Sequence, residues 1–335
     1  MKAADPHAFE SKLAEAARAA PDHKAHMIRT TMNRGDWLIL LMLAGIWGAA
    51  FFCIDIAVRD VPPLTYVWLR LTLAAAAMWA FMRFKGIRIG LPPPIWGSMF
   101  VLALLNNTLP FVLIGWGEVH IASGLAAILN AITPICGVLV AHFATHDERL
   151  TRAKVAGVVL GFIGVTVMMG PTVLGDLGKS VLAQLACVVA SISYAFAAVW
   201  ARRFKKQGIS PLSITTGQLT AGALMMLPVA LIVDHPWTRG VPPISALGAI
   251  ATLALVCSAF AYVLYFRLIQ TSGATNAMLV TLLVPPVAIV LGALFLGETL
   301  APQDFVGLAL IALGLAAIDG RLLSYASGRP LPRAA

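Results

Sequence analysis

Eight long stretches of this chain hold no charged residue. They run over Trp37–Ile54, Ile89–Gly117, Ile121–Ala141, Val155–Gly175, Val181–Ala201, Ile209–Val233, Val241–Phe266 and Leu268–Gly297. A helix needs about 20 residues to cross a bilayer, and each stretch is long enough. Only 12% of the 335 residues are charged, against about 25% in a soluble domain. So few charges cannot coat a soluble globule of this size, so the chain is expected to live in a membrane.

The net charge of +9 does not point to nucleic acid. The basic residues sit in short clusters between apolar runs and do not form one continuous face. Cys53, Cys136, Cys187 and Cys257 all fall inside apolar runs. With no spaced framework and no paired CxxC, neither disulfides nor a zinc site is expected. Residues 1–35 are Ala-rich with mixed charges and no apolar core, which reads as a cytoplasmic tail and not as a secretory signal. Residues 321–335 read as a second cytoplasmic tail.

Two weaker spans, Pro63–Phe84 with Arg70 inside it and Phe305–Ile318, bring the expected number to ten. Proline at Pro62–Pro63, Pro92–Pro94, Pro211 and Pro242–Pro243 stands near span starts, where a helix tolerates it. Orientation follows from the Lys/Arg bias of short loops. With the amino terminus inside, the inner loops hold Arg83, Lys85 and Arg88, then Arg149, Arg152 and Lys154, then Arg202, Arg203, Lys205 and Lys206. The outer loops hold only Arg59, Lys179 and Arg239. Both termini are therefore expected on the cytoplasmic side.

Two stretches of the sequence resemble each other. Ala122–Ser123–Gly124, Asn130, Pro134, Glu148, Leu150, Gly157 and Gly164 recur as Gly273–Ala274–Thr275, Thr281, Pro285, Glu298, Leu300, Gly307 and Gly314. Further upstream, Arg70 falls opposite Gln218, and Trp47 falls near Tyr194. Each half then holds five spans, with boundaries at 36–173 and 174–320. An odd number of crossings makes the second half enter from the opposite side. The expected fold is an all-α membrane protein of ten transmembrane helices arranged as two inverted five-helix repeats, an architecture common among secondary transporters.

The pattern Gly273–Ala274, Pro285, Gly297–Glu298–Thr299–Leu300, Gln303, Gly307, Gly314 resembles the EamA-type repeat of the drug/metabolite transporter superfamily. The first half is similar but looser, with His146–Asp147–Glu148–Arg149–Leu150 where the glycine is missing. The resemblance covers roughly Trp37 to Asp319. It implies ten helices in a bacterial inner membrane and transport of small organic metabolites, often outward.

Polar groups are costly inside lipid unless they face protein or water, so their depth is informative. Near mid-depth stand Trp47, Asn106, Asn107, Asn130, Thr133, Tyr194, Ser258, Tyr262 and Thr281, the candidate substrate-binding set, with Ser191 and Ser193 beside them. In repeat register Asn130 pairs with Thr281 and Asn107 with Ser258. Amides donate and accept hydrogen bonds, and aromatic faces pack rings or cations. Because no carboxylate lies at mid-depth, a neutral or zwitterionic solute such as an amino acid is the expectation. The competing reading is that these Ser, Thr and Asn side chains tie helices together.

Arg70, Asp55 and Glu118 are the candidates for charge recognition or coupling. Two readings of Arg70 stand: a structural pair with Asp55 or Glu118, which the sequence favours, or neutralisation of a substrate carboxylate. Pro110, Pro134, Pro285 and Pro286 interrupt their spans and release backbone carbonyls, as gating bends or as packing kinks. Gly157, Gly161 and Gly164, and Gly45 with Ala49, offer small faces for close helix contact.

Nothing resembles a phosphate-binding loop, and no cofactor is expected. His142 and His146 have metal-like spacing but no carboxylate partner in their span. A membrane-embedded enzyme or a non-transporting receptor or scaffold are the alternative classes. The expected partners are a small-molecule substrate and the bilayer, with the chain a monomer or homodimer.

Overall fold

The computed structural model describes residues 32–144, 151–174, 177, 180–287 and 302–319. Among the described residues, apart from a short 3-10 turn at Pro236–Thr238, ten helical segments follow in chain order: α1 Arg34–Asp60, α2 Pro63–Phe84, α3 Pro93–Glu118, α4 Ser123–Ala144, α5 Arg152–Leu174, α6 Val181–Lys206, α7 Pro211–Asp234, α8 Ile244–Ser272, α9 Ala274–Val287 and α10 Pro302–Asp319. No strand occurs among the described residues. Seven of the helices are long and apolar enough to cross a membrane, and three shorter apolar helices lie over Ala153–Val167, Ala274–Val287 and Phe305–Ile318.

Local chemistry sets the helix starts. Asn33 caps α1 in a reciprocal box: its side chain accepts from the Asp36 amide at 2.8 Å, and Asp36 accepts from the Asn33 amide at 3.0 Å. Proline stands in the first turn of α2, α3 and α7, where its missing N–H breaks no bond. Helix α8 continues through the exposed Arg267 to Ser272, and Gly273 ends it with a φ of 88° that a side chain would disfavour.

Several helices are interrupted at mid-length. Leu104–Thr108 in α3 and Leu255–Phe260 in α8 are π-helical. Helix α4 breaks between Asn130 and Thr133. Each wide or broken turn releases carbonyls that lipid cannot satisfy, and hydroxyl or indole groups take several of them up. Ser193 Oγ donates to the Leu105 carbonyl at 2.7 Å, and Trp47 Nε1 donates to the Cys257 carbonyl at 3.0 Å. Pro110 cannot donate to Asn106, whose carbonyl accepts from the Tyr262 hydroxyl at 3.0 Å. Pro134 likewise frees the Asn130 carbonyl, which accepts from Thr133 Oγ1 at 2.6 Å.

The helix pairings come in matched sets. Helix α3 packs on α6 as α8 packs on α1, and α3 packs on α7 as α8 packs on α2. Helices α2 and α7 pair with each other, as do α5 and α10. The α2–α7 pair is antiparallel. Thr65 at the start of α2 donates from its amide and hydroxyl to Asp234 at the end of α7, at 2.7 and 2.8 Å. Trp79, in the second half of α2, reaches Thr220 at 3.0 Å.

The α5–α10 pair is antiparallel too, and it depends on glycine. A Cβ on Gly157 would sit 2.5 Å from the Gly314 carbonyl oxygen, and one on Gly164 would sit 2.7 Å from that of Gly307. No side chain fits there without moving backbone. Gly45, by contrast, has only an ordinary 3.9 Å neighbour in Val287. The Glu–x–Leu loops at 148–150 and 298–300 lie outside the described residues.

Candidate functional site

A cavity opens where the interrupted turns gather. Counting its open mouth, it holds about 710 Å³ of space free of protein atoms. Trp47, Ala50, Phe51 and Ile54 of α1, Arg70 of α2, and Asn106, Phe111 and Ile114 of α3 form part of its wall. Asn130 and Thr133 of α4, Tyr194 of α6, Tyr262 and Tyr265 of α8, and Met278, Val280, Thr281 and Val284 of α9 complete it.

Of the nine mid-depth candidates, Trp47, Asn106, Asn130, Thr133, Tyr194, Tyr262 and Thr281 stand in this wall. Asn107 and Ser258 have the same depth but another direction. Asn107 is fully buried outside the wall, and neither atom of its amide has a partner. Ser258 lies behind the wall, where its hydroxyl accepts from Arg70 Nε at 2.9 Å and donates to the Leu253 carbonyl at 2.8 Å. Ser191 is also structural, donating to the Leu129 and Cys187 carbonyls.

The aromatic side of the cavity is built from α1 and α8. The Trp47 ring meets Tyr262 and Tyr265 edge-on, with centroids 6.0 and 5.3 Å apart. Tyr262 stacks on Phe266 at 5.9 Å. Tyr265 was not among the sequence candidates, although its spacing of three from Tyr262 places it on the same helix face. Phe51, Ile54, Phe111 and Ile114 were also missed. On helices that are apolar all round, residues facing a cavity carry no mark that separates them from residues facing lipid.

The favoured pairing of Arg70 with Asp55 or Glu118 does not form. Asp55 pairs instead with Arg59, one helical turn on, the one ion pair among the described residues. Glu118, 6% exposed at the end of α3, has neither carboxylate oxygen hydrogen-bonded and lies outside the cavity wall. Arg70 is 3% exposed; its guanidinium carbon lies 3.7 Å from the Phe111 ring centroid, and Nε is held by Ser258. In the second half, Gln218 stands at the matching place and accepts from the Asn106 amide at 3.0 Å.

All four cysteines are free thiols. No group of three potential metal ligands gathers among the described residues, and His146 lies outside them.

Comparison with known proteins adds the family. The model of the EamA-like transporter family matches twice, at residues 35–170 and 181–318. An uncharacterised transporter of Archaeoglobus fulgidus is 26% identical over 83% of this chain and 96% of its own length. A protein of Streptantibioticus cattleyicolor named as a probable terminal-alkyne amino-acid exporter is 28% identical over 87% of this chain and 95% of its own. The uncharacterised inner membrane transporter YedA of Escherichia coli K12 is 27% identical over 82% and 88%. A crystal structure at 19% identity shares the fold, with a TM-score of 0.70 over 88% of this chain and 99% of that one.

Proposed function

Because the chain belongs to the EamA-like transporter family, we propose that it is a secondary transporter that moves a small amino-acid-like organic solute across the bacterial inner membrane, outward, by alternating access. One observation carries the reading. The cavity is walled by helices of both halves, α1–α4 of the first and α6, α8 and α9 of the second, and holds a few polar groups in an aromatic and aliphatic lining. That is the composition expected of a site binding a small solute.

Opposite orientation of the halves is the second part of the proposal. Its support is that matched helices, α2 with α7 and α5 with α10, pack antiparallel. The π-helical turns also fall at matching places, 151 positions apart by their first residues, Leu104 and Leu255. Two halves related in this way can exchange conformations and open the cavity first to one side, then to the other. Ten crossings with both termini cytoplasmic complete the reading, resting on the Lys/Arg bias of the loops.

The amino-acid assignment draws on the Streptantibioticus relative's name and on the amides of Asn106 and Asn130. A screen of solutes for flux in proteoliposomes tests it, comparing the parent with Asn130→Ala and Trp47→Ala. Asn130→Ala is expected to lower transport about threefold to tenfold, the scale of one lost hydrogen bond, and Trp47→Ala to lower it at least as much by removing an aromatic wall of the cavity. Unchanged flux in both variants would displace the site, and no flux of any solute would end the transport reading.

A further inference from the structure

Arg70 is a buried cation that no acid contacts among the described residues: the buried Glu118 lies within its electrostatic reach but forms neither an ion pair nor a hydrogen bond with it. A guanidinium that deep in a membrane protein is expensive unless it is paired or solvated. Here the two nearest acids are otherwise disposed: Asp55 is held by Arg59, and Glu118 makes no hydrogen bond to it. Ser258 occupies one donor, Nε, and fixes the direction of the planar group, while the Phe111 ring supports one face. The donors that remain lie on the two terminal nitrogens, next to the buried Tyr66 hydroxyl, and carry the fork geometry that fits a carboxylate. Among the described residues, Arg70 is the single charged residue in the cavity wall.

From this we infer that Arg70 is the carboxylate anchor of the transport site, and that the site takes solutes with a free carboxylate on an apolar or aromatic body while requiring no ammonium group. This rests on the transport reading and narrows its substrate class. The apolar body lies against Trp47, Tyr262 and Tyr265, whose faces are flat and hydrophobic. An ammonium group finds no carboxylate among the described residues of the wall, so a substrate's positive charge is tolerated on amide oxygens or aromatic faces and does not drive recognition. The solute charge favoured by this geometry is zero or minus one, a shift from the neutral or zwitterionic class expected from the sequence.

Four small probes of one shape separate the charges: 3-phenylpropanoate, L-phenylalanine, 3-phenylpropanamide and 2-phenylethylamine. Binding of each to the full chain in lipid nanodiscs is measured by titration calorimetry. The carboxylate is expected to bind about tenfold or more tighter than the amide, the scale of a charge-assisted hydrogen bond, with phenylalanine between them and the amine weakest. Arg70→Gln is expected to bring the carboxylate down to the level of the amide without changing the amide, and Arg70→Lys to retain part of the difference. If Arg70→Gln fails to fold, the ratio of acid to amide on the parent protein decides alone. Equal binding of acid and amide, a ratio unchanged in Arg70→Gln, or binding of none of the four overturns the inference. The transport reading fails separately, through absence of flux for every solute in the wider screen.

Discussion

Trp47 donates its indole N–H to the Cys257 carbonyl while its ring packs against Tyr262 and Tyr265. The residue therefore satisfies a carbonyl in the π turn of α8 and forms one side of the cavity. Trp47→Phe keeps an aromatic ring and loses the donor together with the fused five-membered ring. Ser193→Ala likewise removes the donor to the Leu105 carbonyl in α3. Hydrogen bonds between membrane helices average about 0.6 kcal/mol and reach about 1.7. Carbonyls in these turns are displaced from the α-helical pattern, so each variant is expected near the upper value. Thermal unfolding in detergent checks this: each should melt several degrees below the parent, and an unchanged melting temperature in both would mean that these bonds contribute nothing. Residue depth was legible in the sequence and residue direction was not. Asn107 and Ser258 lie at the depth of the cavity yet point away from it, because a helix that is apolar on every side gives no period from which to read its inward face.

At the scale of elements, the crossing of α5 and α10 brings backbone against backbone with no room for a side chain. Gly314→Val would drive a side chain into the Gly157 carbonyl and the Gly161 backbone. Overpacking costs about 1–3 kcal/mol where side chains can move aside, and here the obstacle is backbone. Folded yield from membranes is expected to fall well below that of the parent, whereas Gly45→Ala, with its nearest neighbour at 3.9 Å, should leave it intact. Size-exclusion chromatography of detergent extracts measures both. Equal yields for Gly314→Val and the parent would contradict the close crossing. The small-residue spacing of Gly157, Gly161 and Gly164 was readable as a packing face because close helix approach in lipid requires small side chains. Charge-free runs and proline likewise gave the helix sequence and most of the starts. The π turns were invisible, since one extra residue per turn leaves no trace in a run with no polar face, and prolines such as Pro110 marked only their neighbourhood.

For the whole molecule, matched sets of contacts relate the two halves. Arg70 reaches Ser258 in the π turn of α8, and its counterpart Gln218 reaches Asn106 in the π turn of α3. Ser193 of α6 caps α3, and Trp47 of α1 caps α8. Each half thus holds the π-helical turn of the other. Under alternating access these paired contacts would exchange strength as one side closes and the other opens, because equivalent elements with similar energies can trade conformations at little cost. Transport by alternating access requires that the cavity be reached from both faces. A cysteine-free chain carrying Thr281→Cys in the wall measures that access. It should react with a membrane-impermeant thiol reagent in right-side-out vesicles and also in inside-out vesicles, and saturating transported solute should slow both reactions. Reaction from one face only, under every condition, would contradict the account.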